Sequence, residues 1–450
     1  MHICAAHLTD RGSINLSIVR SISAVAVLAS LWLAVNPAPI TVLLLGLFAL
    51  AYINYLVGGR DILYPAFTFT SVWAMVAVVY YFYPAEIDPL GGKTVLIFLG
   101  GGASFSLGSL IGNRRSFPKR PMDGEEPKTE VPGNSSLRIV LLSYTILVVF
   151  FYLLDVRKIG EGSISLSPMF LIELRMKILA SYVEGVNPYS SRFVTSGFVV
   201  VPLVFWIFIM EEKRKWAVGL CAACVGLYSI FSTGRTQLMM VLCGWLFLSM
   251  LRRKDRTFRR TKWPLGFAAS GIIVLLAVNS LLTKAETQGP DALNAATSLT
   301  LLYVAGPLAG FNHAVYHPED FNGQPSVIFA DVLAPLSRLG VVRYELPEGV
   351  DRTVFAPFPI NVYTCYKPYY EELGAIGCFA AFVLLGGIQG HLFGLAVRGS
   401  RVAALVGAFL TYPLMFSTFD DHYHSLTGTL IVIVFSLAYC HLPKRMKFRI

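Results

Sequence analysis

A short polar turn between two apolar stretches carries the first residues with recognisable chemistry, Phe231-Ser-Thr-Gly-Arg-Thr236. Ser232 or Thr233 can cap the helix that follows, and Gly234 permits a tight turn before it. Arg235 then falls at a helix N-terminus, where backbone amides and the helix dipole already favour an anion. The turn is therefore predicted to bind phosphate. The same four-residue signal is also typical of an arginine that snorkels at a membrane boundary.

A second polar segment, Asn361-Val-Tyr-Thr-Cys-Tyr-Lys-Pro-Tyr-Tyr-Glu-Glu-Leu-Gly-Ala-Ile-Gly377, leads directly into another apolar stretch. It combines aromatic rings, one cation and two carboxylates, namely Tyr363, Tyr366, Tyr369, Tyr370, Lys367, Glu371 and Glu372. Rings suit the faces of sugars and a cation suits pyrophosphate, so the segment fits a ligand that contains both. An aromatic belt at the membrane surface would also explain the tyrosines, but it would not explain Asn361, Lys367 and Glu371.

Two further segments have weaker chemistry. In Tyr303-Val-Ala-Gly-Pro307, followed by Phe311, the residue types favour ordinary packing. Asp420-Asp-His-Tyr-His424 contains metal-ligating side chains, but consecutive positions on a short turn cannot all converge on one ion. We therefore predict no metal site.

The composition indicates that lipid surrounds these segments. The 450 residues are 55% hydrophobic and 14% charged, with mean hydropathy +0.61, whereas soluble domains carry about 25% charged residues. A cytosolic globular enzyme is excluded. The formal net charge of +10 is typical of cytoplasmic loops of a membrane protein, so no nucleic-acid partner is inferred.

Apolar windows of about 16 to 23 residues can cross a hydrocarbon core of roughly 30 Å. They fall near 17–36, 39–57, 62–83, 93–112, 137–155, 193–210, 214–231, 236–251, 264–283, 373–395, 400–418 and 426–441. Backbone groups in lipid must be satisfied within the segment, and no period-two alternation indicates a barrel. The sequence predicts a single all-α membrane domain, residues 1–450, with about 12 transmembrane helices.

The basic residues set the predicted orientation, because most of them fall in alternate loops if both termini are cytoplasmic. The Pro- and Gly-rich stretch 113–136 is then a cytoplasmic linker. The outer loops are 156–192, 284–372 and the turn 419–425. Within the first, Ser167 and Pro168 predict the start of a helix lying in the membrane interface. Within the second, Pro307 predicts that 296–316 is a broken or re-entrant helix.

One small-residue pattern lies inside a predicted span. Gly386, Gly390 and Gly394 are four residues apart, which favours close helix packing over a ligand role.

The order of three motifs resembles that of the bacterial Wzy-type O-antigen polymerases, which join oligosaccharide repeat units. The motifs are Phe-Ser-Thr-Gly-Arg at 231–235, Tyr-Val-Ala-Gly-Pro at 303–307, and Asn-Val-Tyr-Thr with Tyr-Tyr-Glu-Glu-Leu-Gly-Ala-Ile-Gly at 361–377. The resemblance implies a GT-C-like glycosyltransferase of the bacterial inner membrane with its active site in the periplasm. It also implies undecaprenyl-pyrophosphate-linked donor and acceptor, outer arginines that bind pyrophosphate, and no cofactor, metal or nucleotide sugar. A chain-length regulator and a flippase are the protein partners that it implies.

Such a reaction needs fixed cations against the leaving pyrophosphate and a base for the attacking hydroxyl. Arg235 and Lys367 are the predicted cations, assisted by Asn361, Tyr363 and Tyr370 in holding the substrate. The predicted base is Glu371 or Glu372, with Asp421 and His422 as the second choice. Arg175, Arg192 and Arg352 are predicted to position the second lipid phosphate or the growing glycan.

Two other functions fit the same chain. An O-antigen ligase would use the same donor but transfer polymer to lipid A core, and it is disfavoured by the Asn-Val-Tyr-Thr segment. A polytopic lipid or sugar transporter would more typically carry charges at the centres of its spans and repeat-like halves.

Overall fold

The computed structural model describes residues 38–82, 87–115, 135–183, 187–211, 215–232, 235–253, 256–257, 292–321, 326–344, 354–355, 359–360, 363–419 and 426–441. The helices there are α1 (Pro39–Val57), α2 (Pro65–Phe82), α3 (Gly92–Arg115), α4 (Ser135–Ile159), α5 (Pro168–Val183), α6 (Arg192–Glu211), α7 (Lys215–Phe231), α8 (Arg235–Leu251), α9 (Ala292–Tyr316), α10 (Ala330–Arg338), α11 (Tyr366–Val397), α12 (Arg401–Met415) and α13 (Leu426–His441). A 3₁₀ helix covers Pro318–Phe321, and the strands β1 (Val354–Phe355) and β2 (Pro359–Ile360) pair antiparallel.

Every predicted span inside the described residues coincides with a helix, and the windows 17–36 and 264–283 lie outside them. Six of these helices are long and apolar enough to cross a membrane, and four shorter ones are apolar along their length. The chain is therefore a helical, membrane-embedded protein. The count of twelve stays a prediction, as does re-entrance of α9. The break expected at Pro307 is absent, because α9 is continuous through that residue.

The main core involves most of the helices, and its part between α2, α3 and α11 is rich in aromatic rings. The Tyr366 ring stacks on Phe382 with centroids 4.4 Å apart and lies 4.4 Å from the Phe98 ring. Trp73 meets the same tyrosine edge-on at 5.5 Å. These side chains are buried on every side. Each contributes on the order of 0.5–1.5 kcal/mol per ring pair beyond its buried area.

Helices α3 and α11 approach closely enough for their backbones to touch. A Cβ added at Gly386 or Gly390 would lie 2.2 Å or 2.1 Å from a carbonyl oxygen of α3. On α3, Gly108 and Gly112 meet carbonyl oxygens of α11 at 2.0 and 2.1 Å in the same way. The predicted role of the α11 glycines in close packing is confirmed for these two positions.

A second cluster joins α4, α5, α6 and α7. The Tyr152 and Tyr228 rings stack with centroids 4.1 Å apart, and Tyr228 donates a hydrogen bond to the Val194 carbonyl at 2.8 Å. Helix α5 begins at Pro168, where the Ser167 hydroxyl accepts from the Phe170 amide at 3.3 Å, so the predicted helix start is confirmed.

Contacts at the helix ends define two ends of the bundle. At what we call the basic end, Arg256 pairs with Asp61 at 2.8 Å and Tyr64 meets Phe393 at 6.0 Å, near the turn that joins α11 to α12. Burial raises the pKa of the Asp61 carboxyl, and Arg256 opposes that rise. The starts of α8 and α11 and the end of α12 therefore share the opposite end, which we call the far end.

Candidate functional site

A break in the backbone separates the polar start of α11 from its apolar remainder. Gly374 has φ +67° and ψ −176°, a combination that is essentially restricted to glycine. Residues 366–373 thus form a separate short helix at the far end, here called the outer half-helix. It carries Lys367, Tyr370, Glu371 and Glu372. The segment predicted to lead straight into the span instead turns at this glycine.

The Lys367 ammonium lies in an aromatic and acidic pocket. Its Nζ is 4.3 Å from the Tyr363 ring centroid, 4.7 Å from that of Phe321 and 3.7 Å from Glu371 Oε2. The lysine side chain is only 5% exposed, and Glu371 is 23% exposed. A buried cation is costly unless rings or anions compensate it, and here both do. Lys367 and Tyr363, which the sequence predicts as ligand-binding residues, are therefore adjacent.

The two predicted carboxylates have different surroundings. Glu372 Oε1 accepts from the Val327 and Ile328 amides at 2.6 and 3.1 Å, and its Oε2 accepts from the Ser326 hydroxyl at 2.5 Å. Three donors on one carboxylate indicate an anchoring role. Glu371 faces Lys367 and remains partly accessible, which favours it over Glu372 as a base.

The tyrosines of this segment differ from an aromatic belt facing lipid. Tyr363, Tyr366 and Tyr369 are buried within the protein, and Tyr370 is half-buried against the Phe311 ring at 5.8 Å. Tyr366 is a core residue. Tyr370 lies beside the exposed Lys93, whose ammonium is 5.6 Å from its ring centroid.

A histidine–carboxylate pair that the sequence did not single out lies beside this pocket. His313 Nε2 is 2.8 Å from Asp320 Oδ2, and Asp320 directly precedes the Phe321 ring that covers Lys367. Their places on a helix end and on the following 3₁₀ helix bring them together, and a seven-residue spacing alone gives no signal of that. A carboxylate that holds an imidazole makes the pair a second candidate base.

Two of the predicted arginines are the first residues of helices, and a third lies within a helix. Arg192 and Arg235 are the first residues of α6 and α8, which contact each other, and Arg175 is half-buried on α5. Helix α12 packs against both α8, which begins at Arg235, and α11, which carries Lys367.

Four predicted site residues lie outside the described residues: Arg352, Asn361, Asp421 and His422. The turn that contains the last two follows Ser417, whose carbonyl accepts from the Cys365 amide at 2.8 Å. Ser417 therefore lies next to the start of the outer half-helix. Cys365 is fully buried there.

Comparisons of the chain with protein-family models, with curated proteins and with solved structures found no match. The resemblance to oligosaccharide polymerases stays a prediction from the motifs.

Proposed function

We propose that this protein is a glycosyltransferase that polymerises undecaprenyl-pyrophosphate-linked oligosaccharide repeat units at the periplasmic face of a bacterial inner membrane. The far end is the periplasmic end in this proposal, because basic turns are typically cytoplasmic. The observation that carries the proposal is the Lys367 ammonium, held between two rings and Glu371 at the start of α11.

In the proposed reaction, a phosphate of the donor replaces the Glu371 carboxylate as the anion beside Lys367. A donor phosphate that approaches the ammonium replaces the Glu371 carboxylate, which lies at 3.7 Å and is the more exposed partner. Charge-assisted contacts to phosphate are about twice as strong as neutral hydrogen bonds, especially where little water competes. The exchange leaves the Glu371 carboxylate beside the donor and no longer paired with Lys367.

Glycosyl transfer then takes place in one displacement step. The acceptor hydroxyl oxygen bonds to the anomeric carbon of the donor sugar, and the bond from that carbon to the phosphate oxygen breaks. The hydroxyl proton passes to Glu371. Undecaprenyl pyrophosphate leaves as an anion, and the cation of Lys367 stabilises the charge that develops on it. Arg235 and Arg192, at the starts of neighbouring helices, are suited to the second lipid pyrophosphate.

The direct test is polymer synthesis by the purified protein in nanodiscs, with a synthetic undecaprenyl-pyrophosphate repeat unit as the only substrate. The proposal expects a ladder of products on a gel, formed equally well with a metal chelator present. Intact substrate after long incubation would refute it.

The same substrate distinguishes a polymerase from the alternative function, an O-antigen ligase. Addition of lipid A core to the reaction should leave the ladder unchanged if the protein is a polymerase. Transfer of single or preformed glycans to the core, without any ladder, would establish a ligase instead.

A further inference from the structure

Residues 326–344 form a closed unit, here called the outer segment, that includes α10. The Tyr344 hydroxyl donates to the Ser326 carbonyl at 2.6 Å, and the Ser337 hydroxyl donates to the Tyr344 carbonyl at 3.2 Å. Glu372 fixes the start of the unit through the Val327 and Ile328 amides. The outer segment is therefore attached to the outer half-helix rather than to a distant part of the fold.

One face of the outer segment is apolar, and the described residues of the chain cover it only in part. At about 100° per residue, Val332, Leu333 and Leu336 of α10 fall within an arc of about 100°, and Phe329 and Leu339 directly flank the helix. Positions 331 and 338, an aspartate and an arginine, fall on the other side. Phe329 and Val332 are about half exposed, and Leu339 is 76% exposed. Exposure of such apolar side chains to water is energetically unfavourable.

The anchoring at Glu372 sets the depth of this face. The stretch 375–397 of α11 is apolar, and at about 1.5 Å per residue it is long enough to cross a core of about 30 Å. We therefore place the start of the hydrocarbon near Ile376, which is 84% exposed although it belongs to a candidate span. Glu372 is four residues before Ile376 in the chain, and the amides that it binds are within 3.1 Å of it.

We propose that the outer segment lies in the surface of the bilayer at the far end, with its apolar face against lipid acyl chains. Exposed apolar side chains also occur on α11 just beyond Glu372, at Leu373 and Ile376. Arg343, near the end of the outer segment, is exposed, and a basic side chain at a bilayer surface suits lipid phosphates. The bilayer surface is thereby coupled through Glu372 to the helix that carries Lys367. The inference is independent of the reaction proposed above.

A label at position 339 tests this directly. Leu339→Cys is exposed enough to leave the fold intact, and the five described native cysteines are buried. The variant is labelled with an environment-sensitive fluorophore and placed in nanodiscs, with unsubstituted protein as the labelling background. Quenching by lipid with a nitroxide on its acyl chain is compared with quenching by aqueous iodide. Glu319→Cys is the matched control, because Glu319 is exposed on the neighbouring 3₁₀ helix.

The expected result is several-fold stronger quenching by the nitroxide lipid than by iodide at position 339, and the reverse at 319. Adding Glu372→Ala should release the segment and shift position 339 toward iodide. Equal iodide quenching at 339 and 319 would place the segment in water and overturn the proposal. Protection from both quenchers would overturn it too, because another protein or a second copy would then cover the face. Val341→Cys, also strongly exposed, repeats the measurement at a second position.

Discussion

Replacement of Lys367 by Met removes the charge and retains the length of the apolar stem. In the proposed reaction the variant loses one charge-assisted contact to phosphate, worth about 1.5–3 kcal/mol. At about 1.4 kcal/mol per tenfold change, kcat/KM should fall roughly 10- to 150-fold. The free energy of unfolding should change little. The variant loses the attraction between the ammonium and the Tyr363 and Phe321 rings, but it no longer has to bury a charge. Glu371, left without this cation, keeps contact with solvent.

The assay is the rate of ladder formation at several donor concentrations, with thermal unfolding of each variant measured in the same nanodiscs. Lys93→Met is the matched control, because Lys93 is an exposed lysine that lies beside Tyr370 of the outer half-helix. It should lose less than about threefold, as expected for a solvated surface charge. A Lys367→Met protein that unfolds normally and polymerises within twofold of the wild type would remove Lys367 from the site. Equal losses of activity in both lysine variants would show that polymerisation depends on positive charge near the outer half-helix in general and not on the Lys367 pocket.

Three more outcomes are expected. Arg235→Ala should abolish polymer while the protein remains in the membrane, and a wild-type chain-length distribution in that variant would contradict its role in phosphate binding. If Glu371 is the base, Glu371→Gln should cut turnover by about 10²–10⁴-fold with donor binding unchanged or tighter, whereas His313→Ala should not; the opposite pattern, measured by turnover and donor-binding titration, would transfer the role to the histidine pair. Gly390→Ala should lower the free energy of unfolding by about 1–3 kcal/mol or more, because its Cβ would lie 2.1 Å from a backbone oxygen. Gly226→Ala, in a helix with open space around that position, should be neutral or stabilising, and similar unfolding of the two variants would refute the close contact.

The glycines show how far a sequence pattern reaches. The four-residue spacing on α11 predicted a close helix contact, and the contact exists at Gly386 and Gly390. The spacing did not identify the partner helix, because a small-residue stripe specifies how near a neighbour can come and not which neighbour it is. Gly374 stood in the same polar motif as Lys367, but its backbone break is a property of conformation, not of composition.

The carboxylates give the same lesson for the site. Glu371 and Glu372 are adjacent in sequence and chemically identical, so residue type could not divide their roles. In the folded chain the first faces an ammonium and the second binds three donors of residues 326–328. The sequence pattern could not predict the pair of His313 and Asp320 for a related reason. Two polar residues seven positions apart meet here because a helix ends between them and the chain turns back.

By itself, the sequence determined that the chain is helical and embedded in a membrane, and it placed the predicted spans within the described residues to within a few positions, although it did not predict α10. It could do so because apolar runs of span length must satisfy their own backbone hydrogen bonds in lipid. Only the tertiary structure decided which helices touch, which of two carboxylates meets Lys367 and which apolar side chains of residues 326–344 are exposed. Those outcomes depend on contacts between residues far apart in the chain, whose energies no local pattern contains.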